Sequence, residues 1–348
     1  LILVVAVFVI TPSQLLAGMT PDYLNEKVWI GIIFAYYIAA TLLPIDKIIG
    51  NFYPILGFAV LFMAAGLLGV LMFGDVTVPD GFSDGLYSRY ADEAHPIFPM
   101  LFVTMACGAI SGFHATQSPM MARCLKNEKL ARPVFYGAMV AEGVVALIWA
   151  AATIAFTGGY DQLFHYVSEH GNSSSADLVK DISVSWLGDV GGVLAILGVV
   201  AAPITTGDTA LRSARLMMAD MLKIDQKKLL KRVIMSLPIF ALSFFLMLID
   251  FQVLWRYFAW CNQTLAVFTL WAVTVYLARH SKAYIVTLLP AIFMTAVSVT
   301  YLLFTPEGFG ISWGISIAVG GGVAVLFTLL FFRYLTLLRT GRAEFAAD

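Results

Sequence analysis

Between Cys107 and Arg123 the chain reads Cys-Gly-Ala-Ile-Ser-Gly-Phe-His-Ala-Thr-Gln-Ser-Pro-Met-Met-Ala-Arg, an apolar run interrupted by hydroxyls, an imidazole and an amide. Ser111, His114 and Gln117 fall within two helical turns and are the side chains that could hold a carboxylate. Ser118-Pro119 has the form of an N-cap followed by proline at the first helical position, so the segment reads as helix, break, new helix. Such a break aims unsatisfied N–H groups and the positive end of a helix dipole at one point, which suits an anionic group. In hydrocarbon an unwound backbone is tolerated only beside protein or a watery cavity. His114 fits three roles: a neutral histidine bonded between helices, a substrate contact, or a proton relay. Gly108-x-x-x-Gly112 offers a flat face for close helix packing.

A second polar cluster follows Pro203, in Ala201-Ala-Pro-Ile-Thr-Thr-Gly-Asp-Thr-Ala-Leu-Arg-Ser-Ala-Arg. Thr205, Thr206, Asp208, Thr209 and Ser213 present oxygen atoms, the ligand type of Na⁺ or a relayed proton. Asp208 and Arg212 equally have the spacing of an ordinary i,i+4 pair. A third insertion, Asn262-Gln263, sits midway along an apolar run, either bonding between helices or lining a cavity. Glu142 is read as a buried acid nine residues into its run, a proton site or a partner for His114. Asp46-Lys47, beside Pro44, reads as a turn with a local ion pair.

The elements that must position these groups are membrane helices. Of 348 residues, 60% are hydrophobic and 12% charged, against about 45–50% and about 25% in soluble domains. Apolar runs at 1–16, 28–43, 52–73, 97–117, 133–157, 190–206, 232–250, 252–278, 283–304 and 312–338 predict about ten spans, since a hydrocarbon core about 30 Å thick needs about 20 helical residues. Loops 118–132 and 207–232 are rich in Lys and Arg, whereas 74–96, 158–189 and 305–311 are poor in them. The alternation places the C-terminus in the cytoplasm by the positive-inside rule. Residues 158–189 predict an outer lid-like loop, with Leu178, Val179, Ile182, Val184 and Trp186 as its apolar side and Asn172-Ser-Ser-Ser as a turn between two short helices. The bland alternative is a surface loop resting on the span ends. Leu1 lies already inside an apolar run, so the sequence reads as one transmembrane domain, 1–348, from which upstream helices are missing, rather than as a signal peptide.

Cys107, Cys124 and Cys261 form no C-x-x-C pair and read as small core residues. The sequence carries no Walker loop and no His-Glu-x-x-His, so it is not read as an enzyme, and no metal or other cofactor is expected. Its basic residues are explained by topology, leaving no case for nucleic acid.

Ala106-Cys-Gly-Ala-Ile-Ser-Gly-Phe-His-Ala, Ile204-Thr-Thr-Gly-Asp-Thr-Ala-Leu-Arg-Ser-Ala-Arg, Ala40-Thr-Leu-Leu-Pro-Ile-Asp-Lys-Ile-Ile-Gly and Phe258-Ala-Trp-Cys-Asn-Gln resemble the carbon starvation protein A (CstA) family. The resemblance covers about residues 28 to 278. It implies a bacterial or archaeal inner-membrane carrier for peptides or pyruvate, driven by H⁺ or Na⁺ symport. Similarity of that family to amino acid/polyamine/organocation transporters further implies an inverted-repeat, LeuT-like core, with helices broken near 107–119 and 201–213. The family's glycine-rich N-terminal segment with paired histidines, the expected partner of the first break, is missing from this sequence. Ser111, His114, Gln117, Asn262 and Gln263 are then expected as substrate contacts, and Thr205, Thr206, Asp208, Thr209 and Glu142 as coupling or gating groups. The competing class is a ligand-sensing membrane receptor subunit that binds the same solute without moving it.

Overall fold

A computed structural model describes residues 1–42, 53–81, 95–171, 174–226 and 228–340. Asp46-Lys47 and the Asn172-Ser173 turn lie outside the described residues. Among those described the chain is all helix: α1 Ile2–Ala17, α2 Glu26–Leu42, α3 Tyr53–Phe73, α4 Ile97–Ala109, α5 Phe113–Cys124, α6 Ala138–Thr157, α7 Tyr160–His170, α8 Ser174–Met221, α9 Leu229–Leu246, α10 Phe251–Arg279, α11 Ile285–Phe304 and α12 Trp313–Arg339. Short 3₁₀ and π turns at 128–137 lead into α6. Among the described residues seven helical segments are long and apolar enough to cross a membrane: Pro54–Phe73, Glu128–Thr157, Gly191–Met221, Leu229–Leu246, Phe251–Arg279, Ile285–Phe304 and Trp313–Arg339. The protein is a polytopic, multi-pass membrane protein. Among the described residues the apolar runs are helical apart from an interruption at 110–112, because in hydrocarbon only a helix satisfies the backbone within a single segment.

The chain divides into two compact units, Leu1–Arg89 with Met120–Trp255, and Tyr90–Pro119 with Arg256–Asp348. In the first, Met63 and Leu67 of α3, Ile148 and Ala152 of α6, and Leu178 and Ile182 of α8 form one buried cluster. In the second, Val103 of α4, Val267 of α10, and Met294 and Val297 of α11 do the same.

Three expectations need correction. The first break is present but earlier and shorter: α4 ends at Ala109 and α5 starts at Phe113, so Ser118 and Pro119 lie inside α5 and do not open it. The second break is absent from 201–213. Helix α8 continues through Pro203 to Met221, and its only non-helical backbone is at Gly188, with φ 68°. Proline at 203 removes one N–H and frees one carbonyl, that of Val199, a loss a membrane helix tolerates, while Thr205 and Thr206 donate back along the helix to the Ala202 carbonyl, at 2.9 and 2.8 Å. The sequence is therefore bent at the glycine, which adopts a positive φ readily, and not at the proline. Glu142, finally, is exposed on α6 rather than buried.

Candidate functional site

In the second unit the polar groups converge on the break between α4 and α5. Asn262 of α10 is buried, and its Oδ1 accepts the backbone N–H of Phe113 at 2.9 Å and the Ser111 hydroxyl at 3.2 Å. The Phe113 N–H also approaches the Ser111 oxygen at 3.3 Å. The first turn then closes through His114 N–H to the Ser111 carbonyl and Ala115 N–H to the Gly112 carbonyl. A helix N-terminus is thus capped from another helix, 149 positions away. Gly112 lets α10 come this close. A Cβ there would meet the Asn262 carbonyl and would stand 2.7 Å from the Ala266 nitrogen. Gly108 has open space at the same test, so of the Gly-x-x-x-Gly pair only Gly112 serves the contact.

Gln263 is fully buried and donates to the Val103 carbonyl of α4 at 3.4 Å, fixing α10 to the first half of the broken helix. Asn262 and Gln263, neighbours in sequence, therefore grip opposite sides of one break. Gln117 lies one turn along α5 from His114. Its Nε2 is shielded from solvent and has no hydrogen-bond partner among the described residues. His114 and Gln117 are half-buried. All five expected substrate contacts, Ser111, His114, Gln117, Asn262 and Gln263, belong to this unit.

The expected coupling groups belong to the first unit. Asp208 is 0% exposed, and Arg212 donates through one Nη to its carboxylate at 3.2 Å and to the Ala40 carbonyl of α2 at 2.8 Å. The i,i+4 pair is real but buried, which distinguishes it from a surface pair. Thr209 donates to the Thr206 carbonyl at 2.9 Å, continuing the run of hydroxyls bonded along the helix after Pro203. Thr206 also lines an apolar cavity of about 390 Å³ among α1, α3, α6, α8 and the start of α10, with Pro12, Val60, Trp149, Pro203 and Trp255 in its wall. Sequence reasoning passed over Tyr37 in this neighbourhood. Its ring is fully buried, its hydroxyl lies 3.0 Å from the carbonyls of Phe8 and Pro203, and it sits where a Cβ on Gly207 would be. The signal was available in Gly207, a small residue one turn after a helix proline.

The predicted lid holds two helical pieces, α7 and the start of α8 before Gly188. The Tyr166 hydroxyl donates to Asp181 at 3.1 Å and joins them. Burial, then the charge of Asp181, its hydrogen bond and the charge of Asp177 push the phenol up to about 12. Lys180 donates to the Gly18 carbonyl at 2.7 Å, tying the piece to the end of α1. Leu178 and Ile182 rest in the cluster with α3 and α6. A second cavity, about 520 Å³, is lined by Gln14, Glu26, His170, Met247 and Ile249, drawing together the ends of α1, α2, α7 and α9.

An uncharacterized membrane protein of Haemophilus influenzae is 38% identical over 204 residues, 45% of this chain and 55% of that protein. A peptide transporter CstA of Helicobacter pylori is 36% identical over 129 residues, 35% of this chain and 18% of the transporter. The pyruvate/proton symporter BtsT of Escherichia coli is 38% identical over 106 residues, 28% of this chain and 15% of the symporter. The matched region thus spans about half the length of the first relative and under a fifth of the two transporters. No solved structure matches the chain. The family of carbon starvation protein CstA matches at residues 1–187 and 174–301, and it is to this family that the chain belongs.

Proposed function

We propose that the protein is a secondary active transporter of the inner membrane, importing small carboxylate-bearing nutrients, short peptides or pyruvate, by cation-coupled alternating access. The observation that carries the reading is the interrupted helix at 110–112, held open by Asn262 in an otherwise apolar unit. A membrane helix is broken at a cost in backbone hydrogen bonds, and discontinuous helices are where secondary transporters place their solute. Ser111, His114 and Gln117 are the solute contacts, with Asn262 and Gln263 shaping the wall. Asp208, with Thr205, Thr206, Thr209 and Glu142, supplies coupling or gating. A carboxylate fully buried in a span and paired with arginine is the kind of group such proteins keep for function. The likeness to a pyruvate/proton symporter of Escherichia coli favours H⁺ over Na⁺ as coupling ion.

Ten crossings, a cytoplasmic C-terminus and an outer lid at 158–189 complete the reading, and the LeuT-like core remains the architecture that a broken helix suggests. The cavity bounded by Gln14, Glu26, His170 and Ile249 supports the topology, since each of these lies at a helix end that the loop charges assign to the outside. The test is uptake by the protein in proteoliposomes, with labelled pyruvate and labelled dipeptides under imposed proton or sodium gradients. Accumulation that collapses with the proton gradient, and falls in His114→Gln, is the expected result. Binding of either solute without uptake under both gradients would overturn the carrier reading in favour of a ligand-sensing receptor.

A further inference from the structure

We propose that the basic end of α8 is an oxyanion-binding site, built on Arg215 with Arg232 and Arg212, and takes one phosphate or carboxylate group. Arg215 is only 5% exposed, yet its Nε and Nη1 have no hydrogen-bond partner among the described residues. A guanidinium keeps its charge and offers five donors in a planar fork. Burying one without a counter-charge is strongly unfavourable, so such a group marks a place where a partner is meant to sit.

The surrounding charges point to the sign of that partner. Among the described residues, Arg212, Arg232 and Asp208 are the charged groups that act on Arg215. The single acid among them, Asp208, is already engaged by Arg212 at 3.2 Å. Among the described residues three arginines therefore face one carboxylate. The negative end of the α8 dipole offsets at most about half a charge, which leaves the cluster cationic.

The backbone holds the cluster in place. After α8 ends, the chain folds back so that Gln226 donates through Nε2 to the Arg215 carbonyl at 3.1 Å, while the Gln226 carbonyl accepts from Arg232 Nε at 2.8 Å. One short segment thus ties Arg232 to the turn that carries Arg215. Tethered, planar and charged donors are the arrangement that binds carboxylate or phosphate bidentately. By the topology proposed above this is the cytoplasmic end, where basic pockets between helices receive the head groups of anionic lipids. A free oxyanion, inorganic phosphate or a solute carboxylate, has the same chemistry.

The test is thermal unfolding of the purified protein in phosphatidylcholine nanodiscs, in three arms: phosphatidylglycerol added to the bilayer, inorganic phosphate added to the buffer, or pyruvate added to the buffer. A rise in Tm confined to the first arm identifies a lipid head group, and a rise in either of the others identifies a free oxyanion. Arg215→Gln abolishes the rise, and Arg232→Gln shifts its midpoint to about tenfold or higher concentration, the size of losing one charge-assisted bond. Arg215→Met, which removes the uncompensated charge, has a higher Tm than the wild type in phosphatidylcholine alone. No rise in any arm, or a rise that persists in both Arg232→Gln and whichever Arg215 variant folds, overturns the proposal. Because uptake is not measured, a failure of the carrier reading leaves this outcome untouched.

Discussion

The side-chain oxygen of Asn262 accepts the backbone N–H of Phe113 at 2.9 Å, so that a helix N-terminus inside an apolar unit is capped by a residue from another helix. Capping of this kind is normally local, by Ser, Thr, Asp or Asn immediately before the helix. Here the nearest local hydroxyl, Ser111, itself donates to the same Asn262 oxygen. One amide thus holds both the new helix and the residue that would otherwise cap it. The break is a maintained feature rather than a frayed end.

Replacing Asn262 by Leu removes the acceptor and leaves the Phe113 N–H with the weaker Ser111 contact. The expected loss is about 1–2 kcal/mol, between that of an N-cap and that of a membrane interhelical bond. Asn262→Asp keeps an oxygen at the same reach and retains more of the stability. Denaturant unfolding in detergent compares the two. Equal losses would mean that packing volume, not the cap, is what Asn262 supplies.

Gly207 and Tyr37 occupy one space, the ring of Tyr37 lying where a methyl on residue 207 would project. Gly207→Ala is expected to destabilise by about 1–3 kcal/mol through overpacking. In a Tyr37→Leu background the added methyl has room, so the second effect shrinks and the double mutant departs from additivity by about 0.5–3 kcal/mol. Additive losses in Tm-derived free energies would place the clash elsewhere.

The all-helical character, several long apolar helices and a break within 107–119 were legible in the sequence, for identifiable reasons. Length and apolarity define a membrane helix, and Ser111, Gly112 and His114 stand out against the run around them. The misplaced helix start at Ser118-Pro119 and the break expected at Pro203 share one cause. Proline often ends a helix in water, whereas a membrane helix tolerates the loss of one backbone bond and runs on. The role of Asn262 was hidden because a cap from 149 positions away leaves no local pattern. Arg215 was hidden for the opposite reason. Its charge had a sufficient explanation in topology, and only its burial separates it from the lysines beside it.

The pair Asp208–Arg212 gives a further test. Both side chains are almost wholly buried, so Asp208→Leu strands the guanidinium and is expected to cost about 3–5 kcal/mol. Replacing both, as Asp208→Leu with Arg212→Met, removes the stranded charge and recovers most of the loss. If proton coupling runs through Asp208, this stable double mutant is also the one whose uptake no longer responds to a proton gradient. A double mutant as unstable as Asp208→Leu alone would show that the Arg212 contact to the Ala40 carbonyl matters more than the ion pair.

The lid-like segment carries its own pH signature. Burial and Asp181 raise the Tyr166 phenol from its usual 10.0 to about 12, so the folded protein holds this proton more tightly than the unfolded chain. The sign follows directly: the contribution is fully present below about pH 10, the unfolded value, and is lost as pH rises through 10 toward 12. At neutral pH Tyr166 is therefore a permanent donor to Asp181, joining α7 to the start of α8. Tyr166→Phe removes the bond at every pH and abolishes this part of the alkaline dependence, while Asp181→Asn brings the phenol back toward 10. Tyrosinate absorbance during an alkaline titration reads the phenol, and hydrogen exchange across 160–187 reads the attachment. A wild-type phenol that titrates at 10, or exchange in Tyr166→Phe equal to wild type at pH 7, would show that the two helical pieces are held by Leu178 and Ile182 alone.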